Sequence, residues 1–594
     1  MENKQSISNT SVIFLIIIIG IIMYFRVMHF SFINWDDNFY VFDNPYIKQF
    51  TLSNIHYIFT HYYFDGTFQP LQLLTYMLIY QIDKLNPAWF HIINAGIFIA
   101  DAILVYFFVK RINTPLIALL TALLFLLSPV NVDSASWVAE LKNTQSLLFT
   151  LITLITYDNF IITGKYKWYA ISMLMFIIAL LTKQTVATIV VIMLFLEWFV
   201  HKKPFAKTFF NQMLFYIIAG IATPVFVIGQ LRMSVKGGAF IEPAFIYRAI
   251  TVIANIAGVL EYPNKLIFPF NVASFYPPFY ILSIFSPRFL ISVIALIVFI
   301  WLAIILYKKR SKGFFWLVWY FANMIPAFGI MHVPFYTNWY LFLPSIGLYA
   351  LISMWIEHLY NYPNLKPYAA GMTVVILLVF SVISWQRINT YKDDLHLWRD
   401  GIKRFPKYYF AYEMYARALI DKGEISEAVK YAEMSLKYNP YNSKVLSGLG
   451  LYYMGKKDYN KALVYLKDAL KYDPGNASYM YLLATYYKQT GDNKQYEEEL
   501  RKCALRDPYE ISYVNELIQF YVNNNHTEKA IQLVKEIIAM HPDNAMFYNI
   551  LGYVYLKYTN NTYEAKKMFE TSLSISPQQK EADEIKRIIL QLSR

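Results

Sequence analysis

Two adjacent carboxylates, Asp36 and Asp37, stand a few residues beyond the first long apolar run, in the stretch Phe32-Ile33-Asn34-Trp35-Asp36-Asp37-Asn38-Phe39. A carboxylate held there can take the proton of an attacking hydroxyl; the plainer reading is a solvated acid pair at a membrane face. The composition of the loop favours the first. Trp35, Phe39, Tyr40, Phe42, Tyr46, Tyr57, Phe59, Tyr62, Tyr63 and Phe64 make it aromatic enough to lie against the interface and line a groove there. Common enzyme signatures are missing: the sequence has no HExxH, Walker loop, GxSxG or cysteine pair.

The elements that must position these acids are apolar helices. Of 594 residues 57% are hydrophobic, 18% aromatic and only 16% charged, too apolar for a soluble chain of this length. The net charge of +13 sits in short loops and on the C-terminal helices, which orients a membrane protein and gives no nucleic-acid footprint. Apolar runs near 11–28, 90–109, 115–130, 143–162, 168–182, 184–200, 211–231, 288–307, 314–330, 340–357 and 368–386 predict eleven spans. The first is expected to be an uncleaved helix. Segment 245–262 is expected to lie in or against the outer interface. Lys110-Arg111, Lys165, Lys167, Lys202, Lys203, Lys207, Lys308-Lys309-Arg310 and Lys312 cluster in short loops, which places those loops and the N-terminus in the cytoplasm. Eleven spans then put the C-terminal part on the other side.

Beyond the last run the period changes. Prolines at 406, 440, 474, 508, 542 and 577 fall 34 residues apart, with one interval of 35 at an extra residue near Asn560-Asn561. This is the period of tetratricopeptide (TPR) helix-turn-helix units. Gly450 and Gly552 are the small residues of the first helix of a unit. Ala428, Ala462, Ala530 and Ala565 are those of the second, and Tyr496 departs from the rule. Five such repeats bury a continuous core and offer a surface for a protein or peptide. The single cysteine, Cys503, occupies a packing position in a repeat, so no disulfide forms within the chain.

Further blocks recur along the membrane half. Asp36-Asp37-Asn38-Phe39-Tyr40-Val41-Phe42-Asp43-Asn44-Pro45 is followed by Gln69-Pro70-Leu71, Leu85-Asn86-Pro87 and His91-Ile92-Ile93-Asn94. Ser128-Pro129-Val130-Asn131-Val132-Asp133-Ser134, Trp137-Val138-Ala139-Glu140 with Lys142, and Leu181-Thr182-Lys183-Gln184 come next. Tyr262, Lys265, Pro269 and Tyr276, then Tyr340-Leu341-Phe342-Leu343-Pro344-Ser345, and finally Trp385, Asp393 and Leu397-Trp398 lead into the repeats. In this order they resemble the transmembrane and TPR-containing O-mannosyltransferases over nearly the whole chain. Some positions depart: Phe68-Gln69-Pro70-Leu71 stands for Tyr-Arg-Pro-Leu, Gln184 for Glu, Leu141 and Trp339 for Arg, and histidines usual near Ser128 are missing.

The resemblance implies an all-α protein. Its parts are a polytopic transmembrane bundle of the GT-C glycosyltransferase type over 1–390 with outer loop 29–89, a connector over 391–408, and a TPR solenoid over 409–594. It implies transfer of a sugar, mannose in the family, from a polyprenyl-phosphate donor to a hydroxyl on the non-cytoplasmic side. Asp36 and Asp37 become the catalytic candidates, Asp36 slightly preferred as base. His91, Glu140, Lys142, Lys183, Arg232 and Lys265 are the substrate-binding candidates, since a lipid-phosphate leaving group needs cations. Lys183 at a helix hairpin is equally read as a snorkelling lysine, and His91 as a hydrogen-bonded interface residue. No cofactor beyond the donor lipid follows. A divalent metal is compatible with the paired acids, but nothing in the sequence supports one. Expected partners are the sugar lipid, a protein or peptide acceptor on the repeats, and membrane lipids. A non-catalytic TPR scaffold is the competing reading. A transporter is the third; it predicts ionisable residues within the spans, where acids are few, Asp101 and Glu197 among them, and internal symmetry, of which the sequence has no inverted repeat.

Overall fold

The computed structural model describes residues 8–63, 66–236, 261–277, 285, 287–328 and 337–593. Among them the chain is helical throughout, with one isolated antiparallel bridge between Tyr63 and Thr67. It divides into two units, Met1–Pro406 and Lys407–Arg594.

In the first unit, helix starts follow local chemistry. Ser8, Asn86 and Thr114 each accept a hydrogen bond from a backbone N–H of the turn that follows, and Pro87 and Pro115 occupy the first helical position, where no N–H is needed. Gly164, left-handed at φ 66°, ends the helix Leu141–Thr163. Among the described residues six helical stretches are long and apolar enough to cross a membrane: Asn9–His29, Pro87–Ile112, Val138–Thr163, Phe289–Lys308, Asn338–Tyr360 and Lys366–Tyr391. A bent pair, Phe205–Asn211 with Met213–Val225 at 56°, is a candidate seventh.

Eleven spans are therefore not what the described residues form. Runs that look continuous by hydropathy are short or broken as helices. Pro115–Leu127 and Lys312–Met324 have 13 residues each and Tyr166–Thr182 has 17, against roughly 20 needed to cross the hydrocarbon core. Residues 184–200 change helical type twice, as the tight turn Gln184–Thr188, the helix Ile189–Phe195 and a wide turn at Leu196–Val200. The expected interfacial helix at 245–262 lies almost wholly outside the described residues.

Close approaches fix the packing. A Cβ on Gly347 would stand 2.5 Å from the Trp316 carbonyl oxygen, so Lys312–Met324 and Phe342–Tyr360 pack backbone to backbone there. The Val138–Thr163 helix turns its polar start inward: Asn143, Thr144, Gln145 and Ser146 are all buried. Phe289–Lys308, by contrast, has Ile291, Ile294, Ile297 and Trp301 exposed, the pattern of a lipid-facing helix. The connector expected over 391–408 is largely the helix Asp394–Arg404. That helix belongs to the first unit through the buried Leu397 and Trp398.

The second unit is five antiparallel helix pairs and a final helix. They run from Tyr409–Asp421 with Ile425–Tyr438 to Ala545–Tyr558 with Thr562–Ile575, followed by Ala582–Leu592. The 34-residue repeat is the physical unit. Added Cβ atoms on Gly450 and Gly552 would meet Leu466 at 2.6 Å and Phe569 at 2.7 Å, and Ala428, Ala462, Ala530 and Ala565 are buried. Tyr496, where the rule expects a small residue, is buried with its hydroxyl donating to Glu516 at 2.9 Å. The inserted residue is taken up between Tyr555 and Asn560: the left-handed turn residue at Lys457, Gly491 and Asn525 comes one place later in the last pair, at Asn560, and the Asn561 N–H reaches back six residues to the Tyr555 carbonyl where the equivalent bonds span five.

Candidate functional site

The two adjacent aspartates face different surroundings. Asp37 is fully buried, its Oδ2 accepting the Ile33 N–H and its Oδ1 the Ala139 N–H, each at 2.8 Å. It thus ties the first loop to the segment that leads into Val138–Thr163. Asp36 is only half-buried, and no hydrogen bond contributes to its electrostatics; Lys142 and Glu140 do. Burial pushes Asp36 up to about 6, with Lys142 lowering it and Glu140 raising it. Burial pushes Asp37 further, to about 8, against the opposing pull of its two amide donors. Environments that drive neighbouring carboxyls apart divide their roles: at neutral pH Asp36 is the charged member.

A polar chain lies beside Asp36. Lys142 Nζ is 3.0 Å from Glu140 Oε1 and donates to the Ala139 carbonyl at 3.1 Å, 5.3 Å from the centre of the Tyr40 ring. Asn143 Nδ2 donates to Glu140 Oε2 and, at 3.1 Å, to Ser134 Oγ, and its Oδ1 accepts from Lys183 Nζ. Burial pushes Lys183 down to about 8, with Glu140 opposing the shift. Glu140 and Asn143 therefore couple two lysines into one array, and the sequence reading missed Asn143. The available signal was helical spacing, since Asn143 follows Glu140 by one turn.

The scaffold under this array is hydrogen-bonded backbone. Asn94 Nδ2 donates to the Ser134 and Trp137 carbonyls at 2.9 and 3.1 Å, and Thr144 Oγ1 donates to Asn94 Oδ1 at 2.7 Å. Gln72 and Tyr76 donate to the Ala139 and Val138 carbonyls at 2.8 and 2.7 Å. The carbonyls of Ser134, Trp137, Val138 and Ala139, in and between the short helices Val132–Ser136 and Val138–Glu140, thus accept from side chains of the helices Pro70–Asp83 and Pro87–Ile112. Trp339 lies 6.1 Å from Trp137 between ring centres, and Gln184 Nε2 donates to the Phe68 carbonyl.

Of the expected binding residues, Glu140 and Lys142 act on Asp36 directly, and Lys183 joins them through Asn143. His91 is fully buried, Nε2 3.3 Å from the Ser31 carbonyl and its ring edge-on to Phe30, at the base of the first loop. Lys265 belongs to a second cluster. Its ammonium sits 3.3 Å from the centre of the Tyr276 ring, and burial pushes it down to about 7, Arg387 lowering it further and Asp133 opposing. Arg232 falls on the helix Met213–Lys236, and its side chain lies outside the described residues. Among the described residues no group of three or more His, Cys, Asp or Glu side chains could hold a metal ion.

Residues 443–476 and 547–579 each match a tetratricopeptide repeat family, and the chain carries such repeats. No curated protein sequence matches the chain. Among solved structures it is similar to YrrB, described as a TPR protein with an unusual peptide-binding site. That likeness has 18% identity over 32% of this chain and 97% of that one, with a TM-score of 0.23. A likeness to MamA has 22% identity over 30% and 96%, with a TM-score of 0.23. A third, spanning 72% of this chain and 59% of the other, is to the oligosaccharyltransferase of Archaeoglobus fulgidus, at 14% identity and a TM-score of 0.38.

Proposed function

We propose that the chain is a membrane glycosyltransferase that moves a sugar, mannose as the sequence resemblance implies, from a polyprenyl-phosphate donor to a hydroxyl of a protein or glycan acceptor. The observation that carries this reading is a half-buried carboxylate, Asp36, beside the buried Lys142, which Glu140 and Asn143 join to a second, half-buried lysine, Lys183. In this reading Asp36 takes the proton of the acceptor hydroxyl as its oxygen attacks the anomeric carbon. The bond to the donor phosphate breaks, and Lys142 and Lys183 balance the charge left on that phosphate. Asp37 holds Asp36 in place, and the repeats bind acceptor or partner.

The pH profile tests it. Asp36 must be deprotonated to act as base, so transfer rises with pH through about 6. Lys183 must be protonated to hold the phosphate, so transfer falls again above about 8. The assay is transfer of radiolabel from polyprenyl-phosphate sugars by the purified chain; Lys183→Arg should raise the upper limb and leave the lower one in place. A profile with no acid limb near 6 removes Asp36 as the base.

The scaffold reading keeps support from the repeat matches, which lie wholly in the C-terminal half. Absence of transfer from every donor tried would favour it.

We also infer that the repeats lie on the non-cytoplasmic side, which follows from a cytoplasmic N-terminus if the bent pair Phe205–Asn211 with Met213–Val225 crosses as a seventh span beside the six long apolar helices. Cys503 is buried, so a Lys467→Cys variant provides the reactive thiol. Labelling of intact cells by a membrane-impermeant maleimide is expected; labelling only after lysis reverses the orientation.

A further inference from the structure

The C-terminal end of the solenoid has an open cavity of about 800 Å³ along the turns that join the last two helix pairs and the final helix. Tyr509, His541, Asp543, Asn549, Tyr553 and Glu581 are among its lining residues, and no lysine or arginine lines it. Asn549 is 7% exposed, and its Oδ1 has no hydrogen-bond partner. A buried carbonyl oxygen without a donor is costly to leave so.

The orientation of that amide follows from a chain of hydrogen bonds. The Ala545 carbonyl can only accept, so Ser572 Oγ must donate to it, at 3.0 Å. Ser572 then accepts from Gln579 Nε2 at 2.9 Å, which turns Gln579 Oε1 toward Asn549, and Asn549 Nδ2 donates to it at 2.6 Å. Every step fixes the next, and the end of the relay is an acceptor, Asn549 Oδ1, at the cavity.

We propose that this cavity binds an extended segment of a partner protein through a lysine or arginine side chain. The ligand supplies the N–H donors that Asn549 Oδ1 lacks. Asp543 and Glu581 give the matching charge, and the Tyr509 and Tyr553 rings offer faces for the cation and its aliphatic stem. Tyr509 is 57% exposed and Tyr553 36%, so both rings are within reach of a ligand. The inference rests on the partner-binding half of the reading above and is independent of sugar transfer.

Binding is measured on the full chain in detergent by anisotropy of fluorescein-labelled Gly-Gly-Ala-Xaa-Ala-Gly-Gly peptides. Lysine and arginine at the centre are expected to bind about tenfold or more tighter than alanine, with glutamate weakest. Asn549→Ala should weaken the lysine peptide about tenfold. The exposed-rim variant Asp543→Asn with Glu581→Gln should bring lysine close to alanine and remove the salt dependence, with far-ultraviolet circular dichroism unchanged. Equal binding of the glutamate or alanine peptide, no binding of any peptide, or undiminished lysine binding by both variants overturns the proposal. Displacement of the lysine peptide by spermidine at lower concentration than by unlabelled peptide overturns the assignment to a protein partner. Sugar-transfer activity is read separately, and its loss or presence leaves these outcomes unchanged.

Discussion

Asp36→Asn is expected to lower sugar transfer by about 100-fold to 10,000-fold, the usual contribution of a general base, while expression and thermal stability stay near those of the parent. The amide keeps the shape of the carboxyl and removes the proton acceptor. Because Asp36 is half-buried and no hydrogen bond enters its electrostatics, little of the fold depends on its charge. Asp37→Asn separates the roles of the two acids. An amide can accept from one of the Ile33 and Ala139 N–H groups but presents its own N–H₂ to the other. That variant should lose stability along with activity. Transfer from a labelled polyprenyl-phosphate sugar, normalised to folded protein, makes the comparison. Undiminished transfer in Asp36→Asn would take that carboxylate out of the mechanism and leave the polar array as a structural feature.

The largest effect on stability is expected at the second cluster. Arg387, on the last long apolar helix, pairs with the fully buried Asp133 and donates to the Pro129 and Val272 carbonyls at 3.1 and 2.5 Å. Asn338 Nδ2 also donates to Asp133, at 2.6 Å, and Tyr276 OH donates to Asn338 Oδ1 at 3.0 Å. Arg387→Met leaves Asp133, which keeps its Asn338 donor, as a buried carboxyl without its cation and takes the guanidinium from two carbonyls; breaking a buried pair in this way costs about 3–5 kcal/mol. Asp133→Leu combined with Arg387→Met removes the uncompensated acid as well, so the double variant should recover part of the loss. Thermal unfolding in detergent, followed by intrinsic tryptophan fluorescence, is the measurement. A single variant that melts with the parent would mean that the pair contributes nothing net.

What the sequence determined by itself is whatever depends on short-range period. The 34-residue spacing from Pro406 to Pro577 specifies the helix pairs, because each unit repeats the same contacts with its neighbour, down to Gly450 against Leu466 and Gly552 against Phe569. Apolar runs marked helices wherever caps such as Asn86-Pro87 and Thr114-Pro115 stood at their starts. Hydropathy could not count the spans. It averages over a window and does not register a break such as the change of helical type at Leu196, which shortens a helix without making it polar. The paired acids were visible as a pair, but their difference was not. Asp37 is pinned by an amide 102 residues away, and Asp133 meets Arg387 across 254 residues. Contacts at that separation leave no local periodic trace. Only tertiary packing decided which carboxylate was buried against backbone donors and which was left half-buried near Lys142.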